Sequence, residues 1–112
     1  MSKKGLMVIG FTALAVVTSV IGACEITSRH YNAAFAHVAV GDSESSVIAQ
    51  MGRPAVRENV GQPYLRYATS ACTNPCAIRL WWEMPIMPGI EGWSVELGED
   101  RKVVRTSHWV SP

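Results

Sequence analysis

A small α+β domain behind an N-terminal membrane-directed segment is the fold class that this 112-residue chain predicts, and three features predict it. Nineteen residues from Gly5 to Ala23 carry no charge. Two short stretches with helical apolar spacing lie between Asn32 and Gly52, each closed by a glycine. From Tyr64 onward the pattern changes to strict alternation of apolar and polar residues, the mark of half-buried strands. The expected architecture is two short N-terminal helices packed on a three- to four-stranded antiparallel sheet. The expected organisation is a signal peptide over 1–23 (alternatively a membrane anchor), a tether over 24–31 and a folded domain over 32–112. A hydrophobic share of 48% is too high for a disordered chain, and the length allows one small folded unit.

The N-terminal segment comes first. Met1 to Lys4 make a positively charged start, and a helix of the following uncharged run spans roughly 28 Å, close to the roughly 30 Å hydrocarbon core. Cleavable signals usually have a shorter apolar region of about 7–15 residues, so length leans toward retention in the membrane. Its ending, Val20-Ile21-Gly22-Ala23-Cys24, resembles instead the lipobox of bacterial lipoproteins, in which an aliphatic and two small residues precede the cysteine that is lipidated and becomes the new N-terminus. Small residues suit that position because the peptidase must bring the backbone close to its catalytic groups. The other reading makes Cys24 a thiol at the end of a membrane helix.

Cysteine count bears on this choice. An exported chain with three cysteines needs a special fate for one of them. Cys72 and Cys76 enclose Thr73-Asn74-Pro75, whose Asn-Pro step starts a turn that brings the two sulfurs into range. A structural disulfide there, with Cys24 acylated, leaves no free thiol. A redox pair is usually spaced by two residues at a helix N-terminus. Zinc needs two further ligands, and His30, His37 and His108 are scattered without metal spacing. No cofactor is expected.

Along the remaining chain, Glu25 to Tyr31 read as a tether or the lead-in to a first helix, and Asn32 to Val40 as a short amphipathic helix using Tyr31, Phe35 and Val38, broken by Gly41. Asp42 and Ser43 are N-cap residues for a second helix with Val47, Ile48 and Met51 on its apolar face, ended by Gly52 and Pro54. A loop is expected over Ala55 to Pro63, then a strand over Tyr64 to Ala68, joined through the Cys72–Cys76 tip to a strand over Ile78 to Met84. Pro85 and Pro88 end that strand. Trp93 to Leu97 and Val103 to Val110 form a last hairpin around the polar turn Gly98 to Lys102.

The stretch V-A-V-G-D-S-E-S-S-V-I-A-Q-M-G-R-P, Val38 to Pro54, resembles the signature of the BamE-like (SmpA/OmlA) family of small envelope lipoproteins at Gly41, Ser43, Val47, Gly52 and Pro54. The resemblance implies a signal and lipobox, two short helices, then a small antiparallel sheet whose last hairpin is Trp93 to Val110. It also implies a part in outer-membrane assembly or integrity and an outer-membrane address facing the periplasm. The shared positions are helix starts and stops, so no contact residue of that family is carried over. Beta-lactamase-inhibitor-like domains share the layout and act by binding other proteins.

Charge excludes nucleic acid. Ten Lys and Arg oppose nine Asp and Glu, and without Lys3 and Lys4 the acids are in excess by one, whereas phosphate binding needs clustered positive charge. Gly41-Asp42-Ser43 looks superficially like the nucleophile block of GDS-type esterases, but the matching Asp-x-x-His block is missing, so the cap reading is preferred and the chain is expected not to be an enzyme. Trp82 and Trp93 fall on the core side of their strands. Trp81 lies between Arg79 and Glu83 on the other side and is expected to be at least partly exposed if that face is not covered, with Arg79 and Glu83 as candidate partner contacts. Ile86 and Met87 join them as candidates, because Met84 to Ile90 is an uncharged, Met-containing loop suited to a lipid surface or an adaptable protein contact; the alternative is a loop folded over its own core. A membrane held through the N-terminal lipid or helix and a protein in the envelope are the expected partners.

Overall fold

A computed structural model describes residues 3–111, with side chains from Met7 onward. The positive start at Met1 to Lys4 therefore lies outside the side chains described. The first helix, α1, runs without a break over Lys3–Phe35. Glu25 to Tyr31, expected as a tether or lead-in, is helical: no glycine or proline interrupts it, and Arg29 pairs with Glu25 one turn back. The amphipathic helix expected over Asn32 to Val40 is thus the end of α1. It stops early because the backbone tightens after Phe35, where His37 N–H donates to the Ala34 carbonyl and Val38 N–H to that of Phe35.

Helix α2, Glu44–Met51, begins and ends where the sequence predicts. Ser43 is its N-cap, accepting from Ser46 N–H at 3.2 Å. Gly52 takes a positive φ of 82° as its N–H closes on the Ile48 carbonyl at 2.8 Å. Val47 and Met51 are buried.

Four antiparallel strands follow in sheet order β1-β2-β3-β4: β1 Val56–Asn59, β2 Ile78–Glu83, β3 Glu91–Leu97 and β4 Val103–Val110. Two expectations need correction. Tyr64 to Ala68 is not a strand, and the first strand lies within the stretch expected to be a loop. The alternation of Leu65 and Tyr67 was misleading, because Leu65 faces solvent while Tyr64 and Tyr67, three apart, both turn toward the sheet. The Cys72–Cys76 corner therefore sits in a long connection from β1 to β2.

Both helices cover one sheet face. Val47 and Met51 meet Ile78, Leu80, Trp82, Met84, Trp93, Val95, Leu97 and Val103 in one buried cluster, against which Cys24, Tyr31, Ala34, Phe35 and Val38 pack. The two core indoles are satisfied: Trp82 Nε1 donates to the Gly52 carbonyl at 3.0 Å and Trp93 Nε1 to Asn32 Oδ1 at 2.9 Å.

The direction of α1 across the sheet fixes where it leaves the domain. Beyond the end of α1, Gly41 N–H donates to the Val103 carbonyl, beside the β3–β4 turn. One end further along, Tyr31 stands beside Trp93, with ring centroids 4.9 Å apart, and lines a cleft with Met84, Pro85 and Pro88. The apolar half of α1 hence projects from the end of the sheet that carries the β2–β3 loop, giving the molecule extents of 65 × 26 × 21 Å.

Candidate functional site

Three places hold the residues that the sequence singles out. The first is α1 itself. All residues from Met7 to Ser19 are exposed, Phe11, Leu14, Val16 and Val17 among them. Cover begins at Val20, and the residues partly covered from there, including Ala23, Cys24, Thr27, Ser28 and Tyr31, recur at three- and four-residue spacing along one side of the helix. Cys24 is unpaired, half-buried and rests against the domain core. By length and composition the helix is apolar enough to be a signal segment or to cross a membrane.

The second place is the sheet face turned away from the helices. The condition for an exposed Trp81, an uncovered face, is not met here: Trp81 and Arg79 are both buried, and Glu83 is half-buried. The β1–β2 connection folds over this face and covers it. Glu58, directly across from Arg79 in the ladder, lies at the centre. Its carboxylate accepts from Arg79 Nε at 2.7 Å, Arg79 Nη2 at 3.0 Å, Trp81 Nε1 at 2.9 Å and Cys72 N–H at 3.1 Å. Arg79 Nη2 also donates to the Ser70 carbonyl at 2.8 Å. Burial by itself pushes Glu58 up, but these hydrogen bonds outweigh it and hold the carboxyl below its ordinary value. Every acceptor position of Glu58 is used within the chain, so this cluster fastens the connection to the sheet and leaves nothing for a substrate.

Aromatic rings complete that cover. Tyr67 stacks on Trp81 at 5.5 Å, Tyr64 meets it edge-on at 5.7 Å, and Trp109 lies 6.1 Å away while donating to Ser94 Oγ at 3.0 Å. Burial, then its hydrogen bond to Glu83, pushes the Tyr64 phenol up, so it stays protonated and donates to that carboxylate. Burial also raises Tyr67, whose oxygen accepts from Gly89 N–H at 2.9 Å. Cys72 and Cys76 form the expected disulfide, with Cα atoms 5.4 Å apart and both residues buried. Each sulfur is thereby committed to the other. Among the described residues no group of three or more His, Cys, Asp or Glu is placed to hold a metal ion.

The third place is the β2–β3 loop. Ile86, Met87 and Ile90 are 44%, 46% and 42% exposed, and neighbouring Val110 at the end of β4 is exposed as well. The candidate contacts therefore divide into two groups: Arg79 and Trp81 lie beneath the chain's own connection, whereas Ile86 and Met87 face outward at the end from which α1 emerges. Sequence reasoning missed Glu58, which sits in a strand of four residues, too short for alternation to declare itself. It also missed Tyr64 and Tyr67 as cover for the second face, although two tyrosines in a glycine- and proline-bounded connection are a signal of it. No protein-family model, curated protein or solved structure matches the chain.

Proposed function

We propose that this chain is a non-catalytic cell-envelope lipoprotein, a small protein-binding or scaffold module held at the membrane by an acylated Cys24. The observation that carries the reading is a bare apolar helix whose exposure ends at the sequence Val20-Ile21-Gly22-Ala23-Cys24, where the covered side of the helix begins. Its mechanism is placement and contact: the lipid holds the domain, and the domain offers its surface to an envelope protein. A part in outer-membrane assembly or integrity, on the periplasmic side, rests on the resemblance of Val38 to Pro54. Metabolic lipid labelling tests the anchor. Wild type is expected to take up label and Cys24→Ala to lose it; equal labelling of the two rejects acylation at Cys24.

A second reading is favoured by the unbroken course of α1 through Cys24. In it the helix is retained as a single-pass inner-membrane anchor for a periplasmic accessory subunit or inhibitor. Here Cys24→Ala leaves both membrane association and the retained residues 1–23 unchanged.

A further inference from the structure

We infer that the β2–β3 loop, through Ile86, Met87 and Ile90, is a second membrane contact, inserting its apolar side chains into the interfacial region of the bilayer that holds the chain through the acylated Cys24 or through a retained α1. The inference rests on the membrane placement proposed above and adds a contact residue set and an orientation to it.

Position comes first. The loop lies at the end of the sheet from which the apolar helix projects, and Pro85 and Pro88 share a cleft with Tyr31 of that helix. Along α1, Cys24, the residue that follows the uncharged run, packs against the domain core. Whatever part of the domain stands beside the helix there stands at the hydrocarbon boundary. A bilayer that takes the uncharged run, or the acyl group on Cys24, consequently faces this end of the domain.

Chemistry agrees with position. Met84 to Ile90 contains no charged or hydroxyl side chain, and its exposed large hydrophobic side chains are two isoleucines and a methionine. The acidic residues flanking it are both occupied: Glu83 accepts from Tyr64 and pairs with Arg66 at 3.4 Å, and Glu91 hydrogen-bonds His108 at 2.6 Å. No free carboxylate on the loop's flanks opposes approach to lipid headgroups, and the exposed, cationic Arg53 lines the cleft beside Tyr31.

The loop is also held in place. Met84 N–H donates to the Glu91 carbonyl at 3.1 Å, Ser111 N–H to that of Ile90 at 2.8 Å, and Gly89 N–H to Tyr67. A fixed loop presents its apolar side chains without a further ordering cost on contact.

The experiment uses the full chain carrying Cys24→Ala, which retains α1 under either anchoring reading, reconstituted in phosphatidylcholine vesicles. Single labelling cysteines are added as Met87→Cys, Val16→Cys and Val60→Cys, the last an exposed site beside the opposite end of the sheet. Each carries an environment-sensitive fluorophore attached without reductant, so the Cys72–Cys76 bridge persists. Quenching is read from aqueous iodide and from lipids spin-labelled near the headgroup. The inference predicts that the residue-87 probe is shielded from iodide and quenched by the shallow lipid label, while the residue-60 probe stays open to iodide. If the residue-16 probe is buried in lipid but residue 87 is as accessible as residue 60, the loop contact is overturned and the loop is left to a protein partner. If residue 16 itself stays in water, the membrane placement fails, and the loop contact with it.

Discussion

Glu58 shows how much one residue decides in a chain this small. Its carboxylate serves two side chains and one backbone N–H while nearly inaccessible to water. Removing its charge leaves Arg79 buried without a counterion, so Glu58→Gln is expected to cost about 3–5 kcal/mol in denaturant unfolding. The pH dependence has a definite sign. Because the folded-state pKa is lowered, the stabilisation is complete above the unfolded carboxylate value of about 4.3 and is lost as pH falls through the folded value. The stability gap between wild type and Glu58→Gln should therefore be widest at neutral pH and narrow on acidification; a gap independent of pH would contradict the role given to the carboxylate. Gly92 makes a complementary case. A Cβ there would stand 3.0 Å from the Tyr67 ring, which is fixed by Trp81 beneath it and by Gly89 N–H at its oxygen. Gly92→Ala is expected to destabilise by about 1–3 kcal/mol, and a Tyr67→Ala background should remove most of that penalty.

At the level of elements, the chain was most readable where one local signal suffices. Ser43, Gly52 and Pro54 delimit α2 through capping chemistry that depends on neighbours in sequence, and β2, β3 and β4 carry alternation long enough to register. What could not be read locally was the second layer. A connection that covers a sheet face does so through contacts such as Tyr67 to Trp81, whose partners are fixed only once the sheet exists. Strand alternation puts Trp81 on the face away from the helices but carries no sign of what covers that face, and β1 escapes notice because four residues hold two periods at most. The Cys72–Cys76 bridge closes the far part of this layer, beside Ser70, whose carbonyl takes an Arg79 hydrogen bond. Replacing both cysteines with serine is expected to lower stability by about 2 kcal/mol on the chain-entropy relation for so short a loop, with the sheet retained in far-ultraviolet circular dichroism. Loss of the whole fold would show that the connection has no other adequate fastening.

Across the whole molecule, the organisation is that of an apolar rod joined to a small two-layered cap. The rod's uncharged run is about as long as the hydrocarbon core is thick, its covered side begins where the lipobox-like sequence begins, and the domain's uncharged loop shares a cleft with Tyr31 of the same helix. Of the candidate contacts, the buried Arg79 and Trp81 serve the interior, and the outward Ile86 and Met87 share an end with the emerging helix. That convergence comes from the continuity of α1 through residues 24 to 31, since a loose tether there would let the domain turn any face to the membrane.

Intact mass of the wild-type chain extracted from membranes tests the central claim most directly. A chain that begins at Cys24, heavier than residues 24–112 by the mass of attached acyl groups, is the predicted result. A chain of ordinary mass that retains residues 1–23, or one cut elsewhere and free of lipid, would contradict it.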